Sequence, residues 1–540
     1  MKICILGAGF SGLTAAHELI KKGHEVWVFE KNASPGGAAG GFKEPEWDWY
    51  VDYAYHHWFT NDSDILDLCK EIGFTDILTV TPETASLYKS SKFEVRSSEE
   101  IATSRSSGTR NDMFTEMFGE DTVKYKLDTP LDLLKFDRLS FFDRLRTGIV
   151  LAFLKFGPAL PFYHTMTAAD FLKRTMGEAS YNTLWKPLFT KKFGECSERI
   201  CPSYTGLSRL AGSKQFRGVN TRAHNCASGI NTMFFWARIK KRTQALMYPA
   251  GGFQKLANYF SDYLISKGVH MKYEVEITGL SQISKSKFQI LCHSRACLHC
   301  LAKHGWQENG NLAQGNGSRV KPGMTAAPGV TAAPGVTAAP GVTAAPSQFE
   351  AVINTLPSPV FLRLEKGVLP EEYRTQLSKI EYIGAQTVIF ETSEKILPKT
   401  YWLNIADMNN GSPSLRAEVN PSAHAEAVPQ AWNWMVAIQH TNFMDKKHFN
   451  NKHIFYLARY GNEKIETPPH PPLTGEARTN KEFFLPKAQP LYTTEFSKIV
   501  PQYKTPVPNL YFANMEQTYP YDRGTNYAVK VGKEVTSFIQ

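Results

Sequence analysis

The feature that most constrains the fold is the hexapeptide Gly7-Ala8-Gly9-Phe10-Ser11-Gly12, because of what stands on either side of it. Before it, Ile3, Cys4, Ile5 and Leu6 form a short continuous apolar run, the pattern of a parallel strand covered on both faces. After it, Leu13, Ala16, Leu19 and Ile20 recur at helical spacing, Gly23 supplies the stop, and Val26–Phe29 reads as a second strand. The spacing predicts a complete βαβ unit with a tight glycine turn. In such a turn Gly7 takes the bend, Gly9 lets a pyrophosphate approach the backbone, and Gly12 packs helix on strand. The helix N-terminus, where Ser11 lies, supplies partial positive charge. Glu30 follows 18 residues after Gly12, placed to accept hydrogen bonds from ribose hydroxyls and to disfavour a 2′-phosphate.

A second glycine-dense loop comes next, Glu30-Lys31-Asn32-Ala33-Ser34-Pro35-Gly36-Gly37-Ala38-Ala39-Gly40-Gly41. It opens backbone access to more of the phosphates and to a second nucleotide half, which a plain NAD domain does not need. At these residues the sequence resembles the FAD-binding amine-oxidase-like superfamily, which includes protoporphyrinogen oxidases and phytoene desaturases and, more distantly, UDP-galactopyranose mutases. Tyr248-Pro249-Ala250-Gly251-Gly252-Phe253 before a helix, and then Val275 on a strand, match that family's return to the cofactor domain. The stretches Asn509–Asn514 and Asp522–Val529 match its last strand and the helix that brings backbone amides near the flavin. Two positions depart from the family pattern: Ala38 replaces a basic residue and Asn514 a glycine.

The resemblance implies FAD as cofactor, with Gly7, Gly9, Ser11, Gly12, Glu30, Lys31, Gly36, Gly37, Ala38, Val275, Asn514, Asp522, Asn526 and Tyr527 as its binding residues. It also places the aromatic run Trp47–Phe59 near the isoalloxazine ring, making His56 and His57 the candidate catalytic residues. The implied fold class is α/β, a Rossmann-like FAD domain assembled from discontinuous segments with an inserted α+β substrate domain. Residues 1–100, 246–290 and 491–540 are expected to form the FAD domain. Residues 120–245, largely helical, and 349–490, β-containing, are expected to face a small-molecule substrate. A second dinucleotide fingerprint is absent from the sequence, so the substrate itself is expected to give hydride to the flavin. The implied function is an FAD-dependent oxidoreductase that oxidises or desaturates an organic molecule. Two alternatives are a non-redox flavoenzyme of the UDP-galactopyranose mutase type and an inactive relative disrupted by insertions.

Several stretches interrupt this pattern. Between 291 and 348 the composition shifts, and from Thr325 the hexad TAAPGV recurs three times before a final TAAP. A proline every six residues forbids a helix or a central strand. Residues 104–112, 202–229 and 411–432 share this loop-like character. Cys292, Cys297 and Cys300 have the spacing of a plant-type iron–sulfur site, but no cysteine follows to complete it, so no metal is assigned.

The net charge of +10 raises nucleic acid as a partner, yet its distribution argues against one. Cys292–Gln348 holds four basic residues against one acid and Pro202–Gly229 four against none, so seven of the ten excess charges fall in insertions. The densest basic cluster, Arg238, Lys240, Lys241 and Arg242, follows Phe234-Phe235-Trp236 and reads as the solvated side of a helix. The eight cysteines follow no disulfide spacing and no signal peptide opens the chain, so a cytoplasmic location is expected. The apolar run Thr147–Tyr163 is too short to span a bilayer, which leaves open a helix lying on a membrane.

Overall fold

The computed structural model describes residues 1–90, 122–194, 229–285, 287–294, 347–407, 434–465 and 478–540, together with 114, 117 and 118. The proline repeat, Cys297, Cys300 and the loop-like segments 104–112, 202–228 and 411–432 lie outside these residues.

The βαβ opening is present as Lys2–Leu6, helix Phe10–Lys21 and strand Glu25–Phe29. These two strands enter a five-stranded parallel sheet in the order His270–Lys272, Glu25–Phe29, Lys2–Leu6, Ala351–Asn354, Leu510–Phe512. Alternate residues of the first strand serve different cores. Ile3 and Ile5 pack with the fingerprint helix and helix Phe253–Ser266, whereas Cys4 and Leu6 pack with strand and helix residues on the other face. Both faces are covered, which is why the strand is apolar throughout. Two strands follow helix Phe253–Ser266, His270–Lys272 and Val275–Ser284, divided at Glu274, whose φ is 56°. The second of these leaves the parallel sheet for an antiparallel one with Lys287–Ser294 and Ser347–Phe349.

A seven-stranded mixed sheet forms the other layer, in the order Arg478–Pro490, Tyr382–Thr392, His453–Tyr460, Val436–Gln439, Thr400–Asp407, Glu83–Lys89, Thr122–Tyr125. Two expected boundaries therefore shift. Glu83–Lys89, placed with the FAD part at 1–100, pairs with Thr400–Asp407 in this second sheet. Ala351–Asn354, placed with the substrate part at 349–490, is a buried strand of the parallel sheet, where the apolar run Ala351-Val352-Ile353 belongs. Helices Phe141–Phe156, Ala168–Met176, Lys186–Phe193 and Thr232–Lys241 make up a helical layer within residues 120–245. No helix among the described residues is long and apolar enough to cross a membrane.

Candidate functional site

The two glycine loops meet face to face. Gly7 adopts φ 103°, and its N–H donates to Phe29 O at 2.8 Å, turning the chain from strand to helix. A Cβ on Gly12 would lie 2.2 Å from Gly7 O, so close packing excludes any side chain there. A Cβ on Gly9, by contrast, would meet no atom of the described residues within 4 Å. The Gly36 N–H donates to Ala8 O at 2.9 Å, and a Cβ on Gly37 would come within 3.2 Å of Gly9 Cα. The result is a cradle of bare backbone at the N-terminus of helix Phe10–Lys21, the arrangement that receives phosphate. Lys31, Gly37 and Ala38 stand exposed at its rim.

Glu30 is buried at the end of the second strand. Its carboxylate oxygens accept the N–H groups of Ala8 and Asn32, both at 3.0 Å, which fixes its direction and leaves further lone pairs for ribose hydroxyls. The Val275 N–H donates to Glu30 O at 2.9 Å, joining the later strand to this corner. Gln254, which the sequence did not single out, holds the second loop in place. Its side chain donates to Pro35 O at 2.9 Å and accepts from the Gly41 N–H at 3.0 Å.

Several residues expected at the cofactor turn out to hold distant segments together. The Ser11 hydroxyl donates to Ala513 O at 2.5 Å, fastening the fingerprint helix to the last strand. Asn514 accepts from the Glu516 N–H at 3.0 Å and donates to Leu356 O at 3.0 Å, closing the turn after that strand. Asn526 accepts the Ile65 N–H at 3.1 Å, and the Trp58 indole donates to Thr525 Oγ1 at 2.6 Å. These bonds set the segment around His56 and His57 beside the start of helix Thr525–Thr536. Tyr527 stacks on Tyr521 with ring centres 4.8 Å apart.

Past this junction lies a cluster of charged and aromatic groups. His57 faces Trp402 and Tyr401, and Tyr55 meets Trp402 edge-on at 4.8 Å. Arg523 donates to the Tyr460 hydroxyl at 3.2 Å, and Lys192 sits 5.3 Å from the Tyr460 ring centre. Lys192 also reaches Asp522 at 3.3 Å, and Asp522 pairs with Arg238. Two cations thus share one carboxylate with Arg523 beside them, leaving an excess of positive charge. Burial, reinforced by Arg238 and Arg523, pushes the Lys192 amine down to about 7. Burial pushes the Tyr460 phenol up, but the Arg523, Lys192 and Arg238 charges outweigh it and hold the phenol below its ordinary value.

Burial, with Arg523 and His57 adding, pushes His56 down to about 3, and burial with Arg242 and Arg238 pushes His57 down to about 4. Both rings are neutral at pH 7, and the Nδ1 of each is buried without a hydrogen-bond partner. Asp52 is the functional-type group most deeply hidden in this segment. Fully buried, it accepts from the Tyr248 hydroxyl at 2.8 Å and the Phe253 N–H at 3.2 Å, with His56 Nδ1 at 3.9 Å. Burial pushes its carboxyl up to about 8 in spite of those two donors. The one sequence signal for Asp52 was an acid inside an aromatic run.

Metal-type groupings among the described residues reduce to His17, Glu18 and Glu71. There Lys21 bonds both carboxylates at 2.8 Å, occupying oxygens that a metal ion would need.

Residues 5–72 match the family described as NAD(P)-binding Rossmann-like domain. The zeta-carotene desaturase of Zea mays is 32% identical over 84 residues, 16% of this chain and 15% of the desaturase, so the chain aligns with under a sixth of that relative's length. Across the whole chain the likeness is structural. An oxidoreductase from Methanosarcina mazei superposes with a TM-score of 0.58 at 12% identity, covering 99% of this chain and all of that one. Reduced UDP-galactopyranose mutase gives 0.55 at 14% identity, covering 100% and 95% of the two chains. Cyclohexylamine oxidase from Brevibacterium oxydans gives 0.54 at 11% identity, covering 100% and 98%. The chain therefore carries an NAD(P)-binding Rossmann-like domain over residues 5–72, within a fold shared by amine oxidases and UDP-galactopyranose mutase.

Proposed function

We propose that the protein is a flavin-dependent oxidoreductase that binds FAD along the double-glycine cradle and oxidises or desaturates a small organic substrate. The observation that carries this reading is the juxtaposition of Gly9 and Gly36–Gly37, with the Glu30 carboxylate fixed beside them on the Ala8 N–H. The cradle fits a dinucleotide: Gly9 offers open backbone, the helix N-terminus favours phosphate, and Glu30 is oriented for a ribose. Bound there, FAD would supply the hydride acceptor.

The chain's own groups bind and orient. Lys192, Arg238 and Arg523 suit an anionic group on the substrate, and their charge would stabilise negative charge that develops beside them. Tyr460, with its acidity raised by those cations, is the group best placed to exchange a proton near neutral pH. Neutral His56 and His57 shape the wall and offer single donors or acceptors rather than charge. The names of the desaturase and amine-oxidase relatives agree with this reaction class.

The same cation cluster favours one second reading, isomerisation of a nucleotide sugar, since UDP-galactopyranose carries a diphosphate that three cations would hold. Purified protein should show a bound or bindable flavin spectrum. A C–H donor that bleaches the flavin without air supports the oxidoreductase, whereas turnover of a UDP-sugar only by dithionite-reduced protein supports the isomerase. A chain that takes up no flavin overturns both.

A further inference from the structure

We propose that the outward face of helix Phe141–Phe156 is a docking surface for a bilayer containing anionic phospholipid. The helix begins at Ser140, whose hydroxyl accepts the Asp143 N–H at 3.2 Å, and buries Thr147 and Leu154 against the body. The opposite side is apolar but uncovered. Phe141, Phe142, Leu145, Ile149, Phe153 and Phe156 all stand out from the surface, Phe142 at 79% exposure, Ile149 at 63% and Phe156 at 80%. Taken at 100° per residue they fall within one stripe of the helix, which is amphipathic with its apolar side turned out. Leu131, Leu134 and Phe162 extend the uncovered patch before and after the helix. A patch of nine large apolar side chains, drawn from 32 consecutive residues, marks an interaction site rather than scattered surface residues.

The charges around it select the partner. Arg144 and Lys155 border one side of the stripe and Arg146 the other. Arg144 bonds Leu134 O, Arg146 bonds Thr175 O and Arg174 O, and Lys155 bonds Lys240 O. Lys240 in turn bonds Phe156 O and Gly157 O at 3.1 and 3.2 Å, which brings the basic run of helix Thr232–Lys241 to the C-terminal end of the patch. Among the described residues all four cations engage backbone carbonyls and none pairs with a carboxylate. The acids of this stretch face local donors instead: Asp132 accepts from Thr129, Asp137 from Tyr125 and Asp143 from Ser140. A second copy of the chain docked through this face would press two such cationic rims together. A layer with anionic headgroups over an apolar interior matches both parts of the surface, with the rings at the acyl boundary and the cations at headgroup level. The 16-residue helix lies in that plane and does not cross it.

Co-sedimentation of the full chain with extruded vesicles tests this independently of any flavin. Binding to phosphatidylcholine vesicles containing about one-third phosphatidylglycerol should exceed binding to pure phosphatidylcholine by about tenfold and fall with salt. Combining Phe142→Glu, Ile149→Glu and Phe153→Glu should lower vesicle binding by about a hundredfold, with the melting transition unchanged because the three side chains are exposed. Should that variant fail to fold, Phe142→Ser carries the same test with about a fivefold loss. Wild-type protein that stays in the supernatant, or a variant that binds equally well, overturns the proposal. So does a wild-type dimer that the triple variant converts to monomer, since a second copy would then cover the face.

Discussion

At the scale of single residues, the glycines of the fingerprint have two kinds of purpose, and substitution separates them. Gly9 has φ −72° and ψ 170°, a conformation open to alanine, and no neighbour among the described residues within 4 Å of an added Cβ. Gly9→Ala should therefore change stability by less than about 1 kcal/mol while cutting FAD affinity more than tenfold. Gly12→Ala drives a Cβ into Gly7 O and should cost about 2–4 kcal/mol of folding stability, seen in urea melts of the protein without added flavin. Equal effects in the two variants would mean that Gly9 has no ligand to make room for. A pH prediction belongs at this scale too. His440 is buried among Tyr248, Phe449 and Tyr456 with neither ring nitrogen bonded, and burial pushes it down to about 4. Between its ordinary value near 6.5 and about 4, the unfolded chain binds a proton that the fold refuses, so stability falls as pH falls. His440→Phe removes that proton and should lose about 3 kcal/mol less stability over the same window, measured by urea melts at each pH. These glycine roles were legible because strand, turn and helix stand together in the sequence. Asp52, Gln254 and His440 were not, because their surroundings include segments about 200 to 400 residues away.

At the scale of elements, helix Thr525–Thr536 was legible as the last helix, but the closeness of its contact was not. A Cβ on Gly532 would sit 2.5 Å from Ser11 O and 2.9 Å from Thr14 Cβ, so these two helices touch backbone to backbone. Gly532→Ala should push the helices apart, cost about 1–3 kcal/mol, and weaken FAD binding as well, because the displaced helix also carries the Thr525 and Asn526 bonds that position the His56 segment. Stability that drops while flavin affinity stays within twofold would show that the helix does not help form the site. The helix Phe141–Phe156 shows the opposite limit. Its periodicity is plain in Phe141, Leu145 and Ile149, but periodicity identifies an apolar face without saying what covers it. The basic run at 238–242 read as a solvated face, and Arg238 and Arg242 do stand exposed, but periodicity does not say that Arg238 pairs with Asp522 and Arg242 with Asp128.

For the whole molecule, the question is whether the interruptions break the fold. Strand Lys287–Ser294 pairs antiparallel with Ser347–Phe349, Phe288 opposite Phe349 and Ile290 opposite Ser347. Strand Thr400–Asp407 pairs antiparallel with Val436–Gln439, Trp402 opposite Ile438 and Asn404 opposite Val436. The segments 295–346 and 408–433 therefore both connect neighbouring strands of an antiparallel pair, a place where a short hairpin turn would serve equally well. Lengthening a connection there raises the closure entropy only slowly, so a long connection is tolerated where the flanking strands already pair. Composition alone made the proline repeat look like a disruption, and the register of its flanking strands, which composition does not carry, sets it between two paired strands. Replacing 295–346 with a short glycine-containing turn should leave the melting temperature within a few degrees and FAD affinity within about twofold of the full chain. If the shortened protein instead fails to bind flavin while still melting cooperatively, the low-complexity segment contributes to the site.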